Sequence, residues 1–570
     1  MTENKKKHLK SAMKSLRYNT GPKMEEKQFI VVGAGMAGLS AAVYLAKAGF
    51  KVKLFEKASQ TGGLVNSFER NGFIYDGGIR SIEDSGIVFP FIRDLRLDIE
   101  FVKSQVSLGV QKDVIRLLDL SSLEDYEAYL RRNFPYAHPE IDRVIKIIKK
   151  VISYMDILYG IENPIFHDIS KDPEYASKVI LPWMIKYVRV MRKILKMHDP
   201  VEEYILKYSQ NQPLNDNICQ HFFKETPAFF ALSYFSLYLD YYYPKGGTGI
   251  IPAKVEEHAR AIGVDIQLNT GIKTLDPNKK IVIDEKGNEY PYEQIVWAAN
   301  LKTMYDGIPA KDIKNKKVRN KVINIKDKMR SLRGGESVFT LYISVDQSIE
   351  HFRNICSEHF FYTPKTTGLS TVDRTPIDNI LASTNQEKNE HLNEEIKTYL
   401  KEFYECNTFE ISCPAMRDPK LAPKGKSAFI ISCLFDYQLA KYIKDAGWYE
   451  EFKTYSENII IKTLEDAIFT DLSKKVIEQF SSTPISMQKR TSNLHGALTG
   501  WAFDKQEIPV PHKVNQMYSA VETPMPNVYQ AGQWSYSPAG LPISIFTGKR
   551  AADQIIKDEN KKKKGKRLKK

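Results

Sequence analysis

The chain has 570 residues, 42% hydrophobic and 27% charged, a globular composition long enough for two or three domains. Its net charge of +14 sits mostly at the ends: residues 1–27 carry eight Lys and Arg against three acids, and residues 557–570 carry nine against two. The body between them is nearly neutral, which argues against a dedicated nucleic-acid-binding fold and against specific nucleic-acid recognition.

Five cysteines (Cys219, Cys356, Cys406, Cys413, Cys433) form no CxxC pair and no metal-type cluster with histidine, so a reducing compartment is expected and no metal. Residues 11–23 are polar where a secretion signal needs an apolar stretch, and no run of 18 apolar residues occurs. A location in the cytoplasm, peripheral to the inner face of the membrane, is the expectation.

Residues 28–33 predict a strand that runs into Gly33-Ala34-Gly35-Met36-Ala37-Gly38 and then an alanine-rich helix over 39–48. Gly33 permits the tight turn, Gly35 lets backbone approach a diphosphate, and Gly38 lets helix and strand pack closely; the helix N-terminus offers unpaired N–H groups to the phosphates. A second strand, 51–55, ends in Glu56, placed to accept hydrogen bonds from a ribose diol, with Lys57 after it. The next glycines indicate FAD rather than NAD. Gly62-Gly63 and then Phe73-Ile74-Tyr75-Asp76-Gly77-Gly78-Ile79 give a second glycine-rich approach to an extended cofactor, where a nicotinamide domain would enter another βα unit.

Two basic amphipathic stretches come next. Residues 141–157 interleave an apolar face with Arg143, Lys146, Lys149 and Lys150, and residues 179–197 mix Trp183 and Tyr187 with Lys186, Arg189, Arg192, Lys193 and Lys196. Both can lie on an anionic membrane surface or pack as ordinary surface helices. Residues 229–243, rich in Phe and Tyr, can line a tunnel for a long hydrocarbon or serve as plain core.

A further nucleotide piece begins at Tyr243-Pro244-Lys245-Gly246-Gly247-Thr248-Gly249. It continues with a helix at 251–262, a strand at 265–268, a hairpin at 280–290 and a strand at 294–299 that ends in Ala298-Ala299-Asn300. Residues 338–345 and 428–435 predict buried strands of a sheet over the flavin. A third piece has a strand leading to Ala531-Gly532-Gln533-Trp534, then Pro538-Ala539-Gly540-Leu541-Pro542 and a helix at 543–556, whose N–H groups can polarise a reduced ring. The lysine-rich tail after it is expected to be disordered.

These motifs, with Asp418–Gly425 and the segment Ser482–Trp501, resemble the flavin-dependent family of phytoene desaturases, carotenoid isomerases and retinol saturases over most of residues 28–556. The resemblance implies an α/β fold: a Rossmann-like FAD-binding domain of the two-dinucleotide-binding-domain flavoprotein type with an inserted α+β substrate domain. Residues 28–105, 243–305 and 517–556 would form the discontinuous FAD-binding domain. Residues 106–242 and 306–516 would form the substrate and membrane-associating part, with 1–27 and 557–570 as basic extensions. It implies noncovalent FAD and a long hydrophobic substrate, a carotenoid, retinoid or unsaturated fatty acid drawn from the bilayer, whose double bonds are desaturated, saturated or isomerised.

Arg80 is a departure, since desaturases of this family tend to continue with Pro or another uncharged residue; it can hold a substrate carboxylate, or form a structural ion pair or a phosphate contact. Arg80, Trp534, Tyr536 and Ser537 are the candidate catalytic residues by the position of their motifs, and His495 is the histidine of a family-like segment. Two other readings stay open: an amine-oxidase-like flavoenzyme with an aromatic cage, and a noncatalytic FAD-containing scaffold at a membrane surface.

Overall fold

A computed structural model describes residues 28–161, 164–166, 172–383, 390–502, 508–511, 514–537 and 540–567. The N-terminal extension at 1–27, Pro538, Ala539 and residues 568–570 lie outside the described residues.

The chain opens on β1 (Gln28–Val32), α1 (Met36–Lys47) and β2 (Lys51–Phe55). A hairpin of β3 (Ser67–Arg70) and β4 (Phe73–Asp76) follows, then β5 (Ile82–Glu83), β6 (Phe101–Lys103), β7 (Val106–Val110) and β8 (Asp113–Leu117). The helices α2 (His138–Leu158), α3 (Leu181–Ile194) and α4 (Ala228–Tyr238) lead to β9 (Tyr241–Pro244), α5 (Ile250–Ala261) and β10 (Asp265–Gln267). The hairpin expected near 280–290 belongs to a three-stranded antiparallel sheet of β11 (Ile272–Asp276), β12 (Ile281–Asp284) and β13 (Glu289–Pro291). After β14 (Gln294–Trp297) come β15 (Ser337–Val345), β16 (His359–Thr363), β17 (Phe409–Ser412), β18 (Ser427–Phe435) and β19 (Val476–Ser482). The described chain closes with α6 (Pro484–Thr491), β20 (Val528–Gln530) and α7 (Leu541–Arg567).

Two large sheets organise these elements. The first is parallel, in the order β10-β2-β1-β14-β20, so strands from three distant parts of the chain lie side by side. Against it, α1 is buried from Met36 through Tyr44, which accounts for its small residues: a Cβ on Gly548 of α7 would meet the Ala37 carbonyl oxygen at 2.2 Å, and Ser40 Oγ donates to the Ile545 carbonyl. The second sheet runs β19-β15-β18-β17-β16-β7-β8, antiparallel except where β16 pairs with β7. Its central strands β15 and β18 are buried on both faces, as their β-branched and aromatic content predicts. All five cysteines are free and buried. No helix among the described residues is long and apolar enough to cross a membrane.

One pair of open alternatives is decided and one expectation is corrected. The apolar face of α2 is core: Ile141, Val144, Ile145, Ile148, Val151, Ile152 and Met155 are all buried, in one cluster with Phe235 and Leu232 of α4. Its basic residues only form the solvated face, so 141–157 offers no apolar surface to a membrane. The tail expected to be disordered instead continues α7 through Arg567. Buried Glu559 accepts from Gln294 Nε2 at 2.8 Å and pairs with Lys562 at 2.7 Å, which ties the extension to β14, and lysines suit the negative end of the helix dipole. On α3 the outcome is the reverse of that on α2. Only Val190 and Ile194 are buried there, while Leu181, Met184, Ile185 and Val188 form an exposed stripe at helical spacing.

One carboxylate joins two distant parts of the chain. Asp76, 1% exposed at the end of β4, accepts from Ser67 Oγ, Thr248 N–H and Thr248 Oγ1, each at 2.8 Å, and from Tyr243 OH at 2.7 Å. Gly247 adopts φ +95°, and a Cβ there would lie 2.6 Å from Ser67 Oγ, so the glycine run at 246–249 exists to bring backbone against this acid. Replacing Asp76 with Ala takes the acceptor from four donors, of which Thr248 Oγ1 alone has another among the described residues, the Asn66 carbonyl at 3.3 Å. D76A is therefore expected to lose about 3 kcal/mol or more of stability, against about 1 kcal/mol for Y243F, which removes one bond. Urea unfolding of the two variants checks the difference.

Candidate cofactor cleft and active site

The glycine-rich turn has the geometry its spacing predicts. Gly33 sits at φ +94°, where a Cβ would lie 2.9 Å from the Ala298 carbonyl oxygen and 3.2 Å from Ala299 Cβ. A Cβ on Gly38 would strike the Gly33 carbonyl oxygen at 1.8 Å. Gly35 is different: it begins α1 with no side-chain cap, and a Cβ there would meet nothing within 4 Å. The first helical bond is Leu39 N–H to the Gly35 carbonyl, so the N–H groups of Met36, Ala37 and Gly38 are left for an outside acceptor. That open, positive helix end is suited to a diphosphate.

Glu56 closes the same turn. Its Oε2 accepts from Ala34 N–H at 2.7 Å and its Oε1 from Ala58 N–H at 2.8 Å, which leaves each oxygen a lone pair for a diol. The second glycine pair packs directly against the first: Gly62 N–H donates to the Ala34 carbonyl at 2.9 Å, and a Cβ on Gly63 would lie 3.4 Å from Gly35 Cα. Exposed Lys57 donates to Ser492 Oγ at 3.1 Å, and Asn300, beside Ala299, donates through Nδ2 to the Ser492 carbonyl at 2.9 Å. The segment after α6 thus roofs this end of the cleft.

Gly77 and Gly78 continue the wall. Gly77 N–H donates to the Asn66 carbonyl and Ile79 N–H to that of Leu64, whose oxygen would lie 1.9 Å from a Cβ on Gly78. Asn66 Nδ2 also donates to the Gly63 carbonyl, which fixes one glycine pair against the other. On the far side Gly532, at φ +90°, donates its N–H to Thr547 Oγ1 at 2.9 Å, and a Cβ there would come within 3.3 Å of Ala37 Cβ. Gln533 is half-buried beside it, and Gly540, Leu541 and Pro542 lead into α7, with Ser544 N–H bonded to the Gly540 carbonyl. Three separated segments therefore line one cleft whose donors and close-packed glycines fit an extended dinucleotide.

The candidate catalytic residues fare differently from one another. Trp534 donates through Nε1 to Asn493 Oδ1, its carbonyl accepts from Trp501 Nε1, and the two indoles meet edge-on at 5.0 Å. Ser537 is equally committed, its Oγ donating to the Trp501 carbonyl. Tyr536 is buried and its hydroxyl is pushed up to about 12, by burial first and by neighbouring Tyr187 second. His495 accepts from Gly334 N–H, stacks on Tyr437 at 4.6 Å and is lowered by burial, so it supports a turn.

Arg80 is buried in an ion pair with Glu410 (Nη1 to Oε2, 3.0 Å), and its other guanidinium nitrogen donates to Ser432 Oγ. The chain itself supplies the carboxylate that a substrate would have brought. Glu410 also has the buried His359 within 3.2 Å, Nε2 to Oε1, without hydrogen-bond alignment, and His359 Nδ1 meets Ser81 Oγ and Arg417. Burial alone would raise the Glu410 carboxyl, but Arg80, His359 and Arg417 overcome it and hold it at about 2. Its side chain keeps 35% of its surface although desolvation is the largest influence on it, so it borders an interior space rather than bulk water. The same holds for Glu83, half-buried on β5 opposite Tyr241, whose carboxyl is raised by burial and which has no ion pair among the described residues.

A small cavity of about 60 Å³ adjoins them, lined by Tyr126, Tyr129, Tyr234, Phe235, Tyr238 and Phe361 among others. Phe361 on β16 is the cross-strand partner of Glu410 on β17, and Tyr234 feels the charge of both Glu83 and Glu410. The tyrosine-rich stretch 229–243 does line an aromatic chamber, then, with two carboxylates at its edge. Neither Glu83 nor Glu410 stands in a motif, and no sequence signal singled them out. No group of three or more potential metal ligands occurs among the described residues.

Comparison with known proteins agrees with this architecture. The 1-hydroxycarotenoid 3,4-desaturase of Flavobacterium sp. (strain P99-3) is 24% identical over 555 residues, covering 93% of this chain and 99% of that protein. The phytoene desaturase of Fusarium fujikuroi is 20% identical over 578 residues, covering 94% and 90%. Among solved structures, putrescine oxidase bound to putrescine superposes with a TM-score of 0.57 at 13% identity over 93% of this chain and 99% of that one, a likeness of fold. The cleft is that of an FAD-dependent oxidoreductase of the phytoene desaturase type. With the family model matched over residues 36–556, the chain belongs to the flavin containing amine oxidoreductases.

Proposed function

We propose that the protein desaturates a carotenoid-like polyene taken from a membrane surface. The observation that carries this reading is the pair of relatives named for carotenoid desaturation, supported by the mainly aromatic lining of the cavity next to Glu410, which suits an apolar chain. Bound FAD supplies a two-electron acceptor for hydride from carbon. The turn at Gly33, Gly35, Met36, Ala37 and Gly38 holds its diphosphate, and Glu56 its ribose, with Lys57 and Ala299 alongside. Gly62 and Gly63 admit the chain between, and Gly77, Gly78, Ile79, Gly532, Gln533, Gly540, Leu541 and Pro542 flank the ring.

Within this reading Arg80 acts through Glu410. It keeps that carboxylate charged at the chamber edge, where a negative group stabilises positive charge developing on the polyene. Glu83, raised where Glu410 is lowered, is the better proton acceptor of the two. The exposed stripe of α3 is the membrane contact, its exposed Lys186, Arg189, Arg192, Lys193 and Lys196 meeting anionic headgroups. A small amine is the second reading, favoured by an unpaired carboxylate, Glu83, among tyrosines.

Anaerobic addition of detergent-solubilised polyenes to the oxidised holoenzyme is expected to bleach the flavin absorbance. Bleaching by small amines but not by polyenes would decide for the second reading. Polyene that reoxidises the reduced enzyme would make it a saturase, and a rearranged polyene without net flavin change an isomerase. E410Q is expected to slow flavin reduction about a hundredfold with FAD still bound; an unchanged rate would remove Glu410 from the chemistry. Replacing Leu181, Ile185 and Val188 together with Ser should weaken binding to anionic vesicles about tenfold or more at unchanged melting temperature. Equal vesicle binding would move the membrane contact elsewhere.

A further inference from the structure

We infer that Arg490 is the counter-cation of the bound cofactor, its guanidinium pairing with an anionic part of FAD, either the diphosphate or the reduced ring. Arg490 stands in the last turn of α6. Its Nη2 donates to the Gly77 carbonyl at 2.6 Å and lies 3.2 Å from Met487 Sδ, and a Cβ on Gly77 would lie 3.2 Å from its Nη1. On the other side it is near Tyr342 of β15. Arg80, three residues along from Gly77, has Glu410 as its counter-ion, whereas Arg490 has no carboxylate partner among the described residues. A guanidinium keeps its charge and presents five donors, and the Gly77 carbonyl and Met487 sulfur occupy only Nη2, so Nε and Nη1 remain for an anion.

The surroundings locate that anion. Arg490 is exposed, and the Gly77 carbonyl it binds is part of the glycine wall of the cleft, which places its open side at the cleft's mouth. Two residues on, Ser492 is bonded to Lys57 and Asn300 at the ribose end. Residues 490–492 therefore span the cleft from Gly77 to Glu56, over the path that joins Gly77 through Asn66 to Gly63 and Gly35. This inference needs FAD but not any one lipid substrate.

The test compares wild type, R490Q and R490K as full chains, by the dissociation constants of FAD and of ADP from the flavin-free protein and by the two-electron midpoint potential. If the partner is the diphosphate, R490Q weakens FAD and ADP alike by about tenfold or more and leaves the potential in place. If it is the reduced ring, ADP and oxidised FAD bind as before while the reduced form is held about tenfold less tightly, and the potential falls by about 30 mV. R490K, which keeps the charge but not the planar fork, should show the same change at smaller size and serves also if R490Q does not fold. Wild-type affinities and potential in the folded variants, R490K included, would overturn the assignment.

Discussion

Asp76 is the joint on which the cleft depends. A fully buried carboxylate is tolerable only where hydrogen bonds replace its hydration, and here four donors do so, two of them from Thr248 and one from Tyr243. The Tyr243 and Thr248 donors lie 167 and 172 residues away in sequence, so satisfying one acid fixes the second glycine-rich segment against the first. The adjacent Gly77-Gly78 then has no freedom to drift, because Asn66 and Leu64 hold its backbone on one side and Arg490 on the other. A cofactor that stretches across both segments meets a wall already in place, which is the preorganisation that electrostatic catalysis demands.

Much of this wall is legible in the sequence, for a local reason. A glycine is selected where a Cβ would collide, and the collisions at Gly33, Gly38 and Gly78 are with backbone a few residues or one strand away. Spacing carries that information directly. The amphipathic helices show where periodicity stops. Residues 141–157 and 181–194 have the same pattern of apolar and basic residues, yet α2 buries its apolar side against α4 while α3 leaves four large side chains in the open. Period tells which residues share a face, but only a partner helix elsewhere in the chain decides whether that face is covered.

The polar centre is not legible at all beyond Arg80. Arg80, His359, Glu410, Arg417 and Ser432 come from a loop, three strands and a short helical turn, and each looks ordinary among its sequence neighbours. Their meaning arises from register: His359 and Phe361 share one face of β16, and β17 places Glu410 across from them. Sequence alone leaves Arg80 to a substrate carboxylate, a structural ion pair or a phosphate contact, because an arginine near a flavin needs an anion but its spacing does not say whose. The need is real, and a protein residue 330 positions downstream meets it.

That pairing changes what the remaining charges imply. Had Arg80 been uncompensated, it and Arg490 would together have made the flavin end of the cleft strongly positive. With Glu410 ionised and opposite Arg80, the chamber side of the loop is close to neutral in net terms but sharply divided, a negative edge facing the aromatic space and a positive one behind it. Arg490, with exposed Lys57 at the ribose end, then stands as excess positive charge on the cofactor side, while Glu83 stands as an excess acid on the chamber side. Positive charge toward the cofactor and negative charge toward the substrate is the polarity that draws electrons from carbon to flavin, since it lowers the energy of a substrate losing hydride and of a cofactor gaining it. Under the proposed desaturation, the four side chains around one glycine loop would act together rather than through any single catalytic group.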